Sequence, residues 1–107
     1  MKKIYFAMIV LGLSAGISLS ASAEENSLKD RLCEVESGLA YDLMNFRQNG
    51  APIHKLLKLS EEPQLKEVVR EAYKAEQFHT EYEKEAIKVE FAKLQYYICL
   101  DRLGVDY

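Results

Sequence analysis

The residues of this chain best equipped for chemistry are Cys33 and Cys99, His54 and His79, and the Arg47-Gln48 pair within MNFRQNGAPIHKLL, residues 44–57. The histidines lie too far apart to form a local metal pair, neither sits in H-E-x-x-H, and no C-x-x-C accompanies them, so no metal site is expected. His79-Thr80-Glu81 echoes the H-x-E of zinc deaminases without the P-C-x-x-C that this chemistry requires. Ser27, Ser37 and Ser60 lie in no G-x-S-x-G setting, and a glycine-rich phosphate loop is lacking. With no nucleophile, base and oxyanion donor to assemble, the expectation is a chain that is not an enzyme and takes no cofactor.

The two cysteines acquire a meaning from the first 23 residues. Met1-Lys2-Lys3 is a short basic start, Ile4 to about Leu19 is apolar with small residues interspersed, and Ala21-Ser22-Ala23 is an A-x-A cleavage signature, the layout of a secretory signal peptide. The apolar run is shorter than the roughly 20 residues of a spanning helix and is diluted by Gly12, Ser14, Gly16 and Ser18. Export with cleavage after Ala23, to the periplasm or beyond, is the expectation, with no membrane span left afterwards. An 84-residue domain, 24–107, would remain. A chain this short buries a modest share of its surface and commonly needs a covalent staple. Two cysteines in an oxidising compartment allow one intramolecular pairing, Cys33 to Cys99; the alternatives are buried free thiols or an intermolecular bridge.

Charge narrows the partners. Removal of Lys2 and Lys3 leaves 12 basic against 17 acidic residues, a net of −5. Nucleic-acid binding is dominated by phosphate neutralisation, and anionic lipid surfaces select basic clusters, so both are disfavoured. A protein or another envelope component is the partner class that remains.

Helices must position whatever surface does the binding. Leu28, Leu32, Val35, Leu39, Leu43 and Phe46 are spaced 4, 3, 4, 4, 3, a single apolar stripe on a helix of about 20 residues capped by Asn26 or Ser27 and stopped at Asn49-Gly50. Pro52 opens a short second helix carrying Ile53, Leu56, Leu57 and Leu59. Ser60-Glu61-Glu62-Pro63 starts a third, with Leu65, Val68, Val69, Ala72 and Tyr73 as its apolar face and an end near Gln77. Thr80 and Glu83 form a capping-box pattern for a fourth helix striped by Ile87, Phe91, Leu94 and Ile98 and ended by Gly104. No segment sustains two-residue alternation. The predicted fold is all-α, a small bundle of about four helices whose outer members run antiparallel and are tied by one disulfide.

That disulfide sets a register. Moving 14 residues along each outer helix from its cysteine brings Arg47 near Glu85, and Glu83 sits at the edge of the fourth stripe. The favoured partner for Arg47 is therefore Glu83, or else carbonyls at the end of a neighbouring helix. Gln48 is expected to tolerate alanine unless it reaches the Asn49-Gly50 turn. Tyr41 and Tyr96 point away from the stripes and, with Arg47 and Gln48, are candidates for a partner-binding surface.

Cys33, Leu39-Ala40, Met44, Arg47-Gln48-x-Gly50, Ala72-Tyr73, Ala86-Ile87, Phe91 and Cys99 together resemble a pattern found in small exported proteobacterial and prophage-encoded proteins of no assigned activity. The likeness covers nearly all of residues 24–107 and departs from the pattern after Ala72-Tyr73, where Lys74-Ala75-Glu76 stands in place of a nearby proline. In layout alone (signal peptide, short helical domain, one long-range disulfide) the chain is similar to the periplasmic acid-stress chaperones HdeA and HdeB. Two functions are thus expected: an exported helical binding module, of the kind that inhibits hydrolases or serves as an envelope-associated phage or host factor, or an acid-activated chaperone.

Overall fold

The computed structural model describes residues 13–105, with side chains from residue 24 onward; the first 12 residues of the predicted signal peptide lie outside the described residues. Four helices follow in order: α1 (Leu13–Gln48), α2 (Ile53–Leu57), α3 (Pro63–Tyr73) and α4 (Glu81–Leu103). Their boundaries come from local chemistry. Gly50 and Gly104 adopt left-handed backbone, φ 86° and 74°. Each closes its helix with paired hydrogen bonds back to the last turn: Gly50 N–H to Arg47 and Ala51 N–H to Phe46, Gly104 N–H to Asp101 and Val105 N–H to Leu100. Pro63 occupies the first turn of α3, where its missing N–H costs nothing. The Thr80 hydroxyl oxygen accepts from the Glu83 backbone N–H at 3.1 Å and caps α4.

Two boundaries differ from the predicted ones. Asn26 and Ser27 lie inside α1 and do not cap it, because the Ala/Ser/Leu-rich stretch before them contains no proline to stop the helix. Helix α3 ends at Tyr73, short of Gln77, and residues 74–80 form a loop whose polar groups are taken up by the end of α1.

Helices α1 and α4 form the long antiparallel pair, joined by the Cys33–Cys99 disulfide with 5.5 Å between Cα atoms. Rungs line the seam on both sides of this bond. Tyr96 donates to Asp30, Ser37 to the Ala92 carbonyl at 2.9 Å, Tyr41 to Glu85 at 2.6 Å and Lys88 to Asn45 at 3.0 Å, while Glu36 and Arg102 form an ion pair at 2.6 Å. Helix α3 packs on α1 and α2. The main core gathers Ala40, Leu43, Met44, Leu56, Val69, Ala72 and Phe91, and a second, smaller cluster surrounds the disulfide with Leu100.

The inward face of α1 is not the predicted one. Of its expected stripe only Leu43 is buried; Cys33, Ala40 and Met44 are buried as well, and Gln48 is buried against the loop after α3. Covalent attachment of Cys33 fixes the rotation of the helix, and a row of small side chains, Cys33, Ser37 and Ala40, lets α4 approach closely. The larger leucines lie a quarter turn or more away. On α4 likewise, Phe91 is buried, but Leu94 and Ile98 are exposed, while Gln95 and Cys99 face inward.

Candidate functional site

Arg47 and Gln48 stand side by side at the C-terminal end of α1, opposite the loop that follows α3. Arg47 Nε donates to the Ala75 carbonyl at 3.0 Å, and its guanidinium lies 5.2 Å from the centre of the Tyr73 ring, a stacked cation against an aromatic face. Of the two expected partners, the carbonyl near a helix end is the one found, because α4 starts only at Glu81 and Glu83 serves its first turn, accepting from the Thr80 hydroxyl at 3.0 Å. The Tyr73 hydroxyl reaches back to the Ala51 carbonyl, and burial pushes this phenol's pKa up against the opposing Arg47 charge. Arg47→Met is expected to lower stability by about 1–2 kcal/mol through loss of the hydrogen bond and the ring contact. Glu83→Gln, which shares no partner with it, should add independently in a double-mutant cycle read by urea denaturation.

Gln48 is the more deeply held of the two, 1 % exposed. Its Nε2 donates to the Glu76 carbonyl at 2.8 Å and touches Met44 Sδ at 3.6 Å, while its Oε1 accepts from Phe78 N–H at 2.8 Å. The backbone carbonyl of the same residue accepts from Gln77 Nε2 at 3.4 Å. The expected tolerance of alanine therefore does not hold: the side chain takes the place of a missing strand of backbone partners for residues 76–78.

Tyr41 and Tyr96 are half-buried in the α1–α4 seam. The hydrogen bond to Glu85 raises the Tyr41 pKa and, with Lys88 alongside, lowers that of Glu85. Lys88 also stands 5.3 Å from the Tyr41 ring centre. The Tyr96 phenol is pushed up to about 12, first by its hydrogen bond to Asp30 and then by burial. Its neutral form is the one the fold prefers, so this contribution is whole below the ordinary value of 10.0 and is lost as pH rises from there through about 12. Tyr96→Phe should flatten the fall in melting temperature over that alkaline window, measured by circular dichroism.

Each of the four sequence candidates thus has at least one side-chain polar atom hydrogen-bonded within the molecule. Part of what sequence reasoning assigned to the core is instead on the surface, although Leu43, Leu56, Val69, Ala72 and Phe91 are buried as expected. Leu28, Leu32, Val35 and Leu39 on α1 are 41–70 % exposed, and Leu94 and Ile98 on α4 are 55 % and 44 % exposed. At about 100° per residue the four α1 side chains fall in a strip about 60° wide. The strip leads to Leu43, which shares a buried cluster with Val69 and Ala72 of α3; the rest of it stays exposed among the described residues.

No protein-family model, curated protein or solved structure matches this chain. The function is therefore read from geometry. Among the described residues no group of three or more His, Cys, Asp and Glu is arranged to hold a metal ion, and no helix is long and apolar enough to cross a membrane. His54 and His79 are exposed and lie on separate segments.

Proposed function

We propose that the protein is an exported helical interaction module that captures a protein or envelope component through an apolar helix face and performs no chemistry of its own. The observation that carries this reading is the exposed strip of Leu28, Leu32, Val35 and Leu39 on α1, with Leu94 and Ile98 likewise exposed on α4. Contiguous apolar surface of this kind on a small domain marks a contact site, and here it is mounted on two helices held rigid by a disulfide and by hydrogen-bonded rungs. A preorganised face loses little entropy on docking. The test is a pull-down from an envelope extract with tagged protein at neutral pH. One stoichiometric partner is expected, and its capture should fail with Leu32→Glu or Leu39→Glu; recovery of no partner would refute the module.

Acid-activated chaperoning is the second reading, and the carboxylate rungs favour it. Asp30, Glu36 and Glu85 each fasten α1 to α4. Glu85 has its pKa lowered by the Tyr41 hydrogen bond, so its contribution is present above the ordinary carboxylate value and lost as pH falls through the lowered one. Under this reading aggregation of unrelated substrates at about pH 2–3 is suppressed by the protein, at a pH below ordinary carboxylate values; under the module reading it is not.

A further inference from the structure

The bundle lacks one wall. Helix α3 packs on α1 and α2 more extensively than on α4, and beyond the core cluster that its Val69 and Ala72 share with Phe91 a groove of about 490 Å³ opens between them, floored by Val68, Leu94 and Ile98. A second hollow of about 380 Å³ shares Leu94 and Glu71 with the first and carries the groove on to Ile87 and Phe91. From Ile87 to Ile98 the floor follows α4 for about 16 Å, or three helical turns. Four carboxylates line this length, Glu62, Glu67, Glu71 and Glu90, against the single cation Lys93. Arg70 and Lys74 pair with Glu67 and Glu71 from the exposed side of α3 itself, where water screens them.

We propose that this groove receives an amphipathic helical segment of a partner protein, apolar on the face that enters and bordered by lysine or arginine. The proposal rests on the interaction-module reading and names the chemistry of its partner. An apolar floor with an acidic rim is complementary to that pattern on both counts. A helix satisfies its own backbone and can lie on Val68, Leu94 and Ile98 without polar support. An extended peptide could not, because the described residues include no strand whose edge it might join. A second copy of the chain is a poor occupant, since it brings the same excess of carboxylates to the contact.

Three fluorescent 18-residue peptides decide the matter when titrated into the purified protein: a leucine/lysine sequence with helical period, the same composition scrambled, and a leucine/glutamate counterpart. The periodic cationic peptide is expected to bind at least tenfold more tightly than either other, and to weaken severalfold between low salt and 0.5 M salt. Leu94→Gln with Ile98→Gln, and separately Glu67→Gln with Glu71→Gln, should each reduce that affinity about tenfold with helicity unchanged, while Tyr82→Ala at the exposed start of α4 should not. Equal binding of the scrambled or anionic peptide, or full affinity in the Leu94/Ile98 variant, overturns the proposal. So does a dimer in sedimentation that Leu94→Gln dissociates, for then a second copy fills the groove. Should the Leu94/Ile98 variant still capture the envelope partner, the module reading survives and the groove assignment fails. Peptide binding without any captured partner is the reverse case.

Discussion

Gln48→Ala is expected to cost about 2–4 kcal/mol of folding stability, chiefly through the hydrogen bonds of its amide. Removing the amide leaves the Glu76 carbonyl and the Phe78 N–H without partners at the closed end of α1, and each orphaned group carries a penalty of about 1–3 kcal/mol, reduced where water enters. For a domain of this size the melting temperature should fall by roughly 10–20 °C. Gln48→Glu separates hydrogen bonding from shape. A carboxylate of the same size still accepts from Phe78 but cannot donate to Glu76, so the variant should be at least as unstable as alanine at neutral pH and recover in part as it is protonated. Urea denaturation at pH 7 and pH 4 reads both; a Gln48→Ala protein with an unchanged midpoint would show that the loop 74–80 is held some other way.

Loss of the disulfide should cost about as much or more. Cys33 and Cys99 are 66 residues apart in sequence, and opening a loop of that length restores chain entropy worth about 4 kcal/mol to the unfolded state. Both sulfur atoms are fully buried, so paired Cys→Ala substitution avoids adding an unsatisfied hydroxyl. The damage should be local before it is global. Amide exchange in residues 24–36 and 96–103, where the smaller core cluster is small, should accelerate more than in residues 40–48, which keep α3 and the main core. In the oxidised protein, intact mass should be two hydrogens below that of the reduced chain, with no thiol open to alkylation.

What the sequence reveals of this fold is what single residues dictate locally. Gly50 and Gly104 are required by left-handed backbone, Pro63 by a helix start and Thr80 by a cap, and each is recognisable without knowing the rest of the structure. The cysteine pairing is legible for another reason: two residues permit one internal bond. The inward face of α1 is not legible in this way. Periodicity weighs large apolar residues most, so Leu28, Leu32, Val35 and Leu39 outrank Cys33, Ser37 and Ala40, yet close helix contact selects the small side chains. Gln48 is hidden for a third reason. Its partners are backbone groups about 30 residues away, and no side-chain pattern announces a carbonyl. The candidate interaction surface follows from the same error of face, since apolar residues counted as core are the ones left for a partner.

The position of the disulfide also has a mechanical meaning. Cys33 lies toward the start of the α1–α4 pair as the chain enters it, and Cys99 lies near the point where the chain leaves, five residues before Gly104. Tension applied between the chain preceding Cys33 and the chain following Cys99 would pass across the sulfur–sulfur bond and bypass the 65 residues between them. The main core, the Gln48 clamp and the groove all lie inside that closed ring. A partner pulling on either end of the polypeptide would thus leave the groove unstretched, so that the same covalent link that stabilises the fold also isolates it from load.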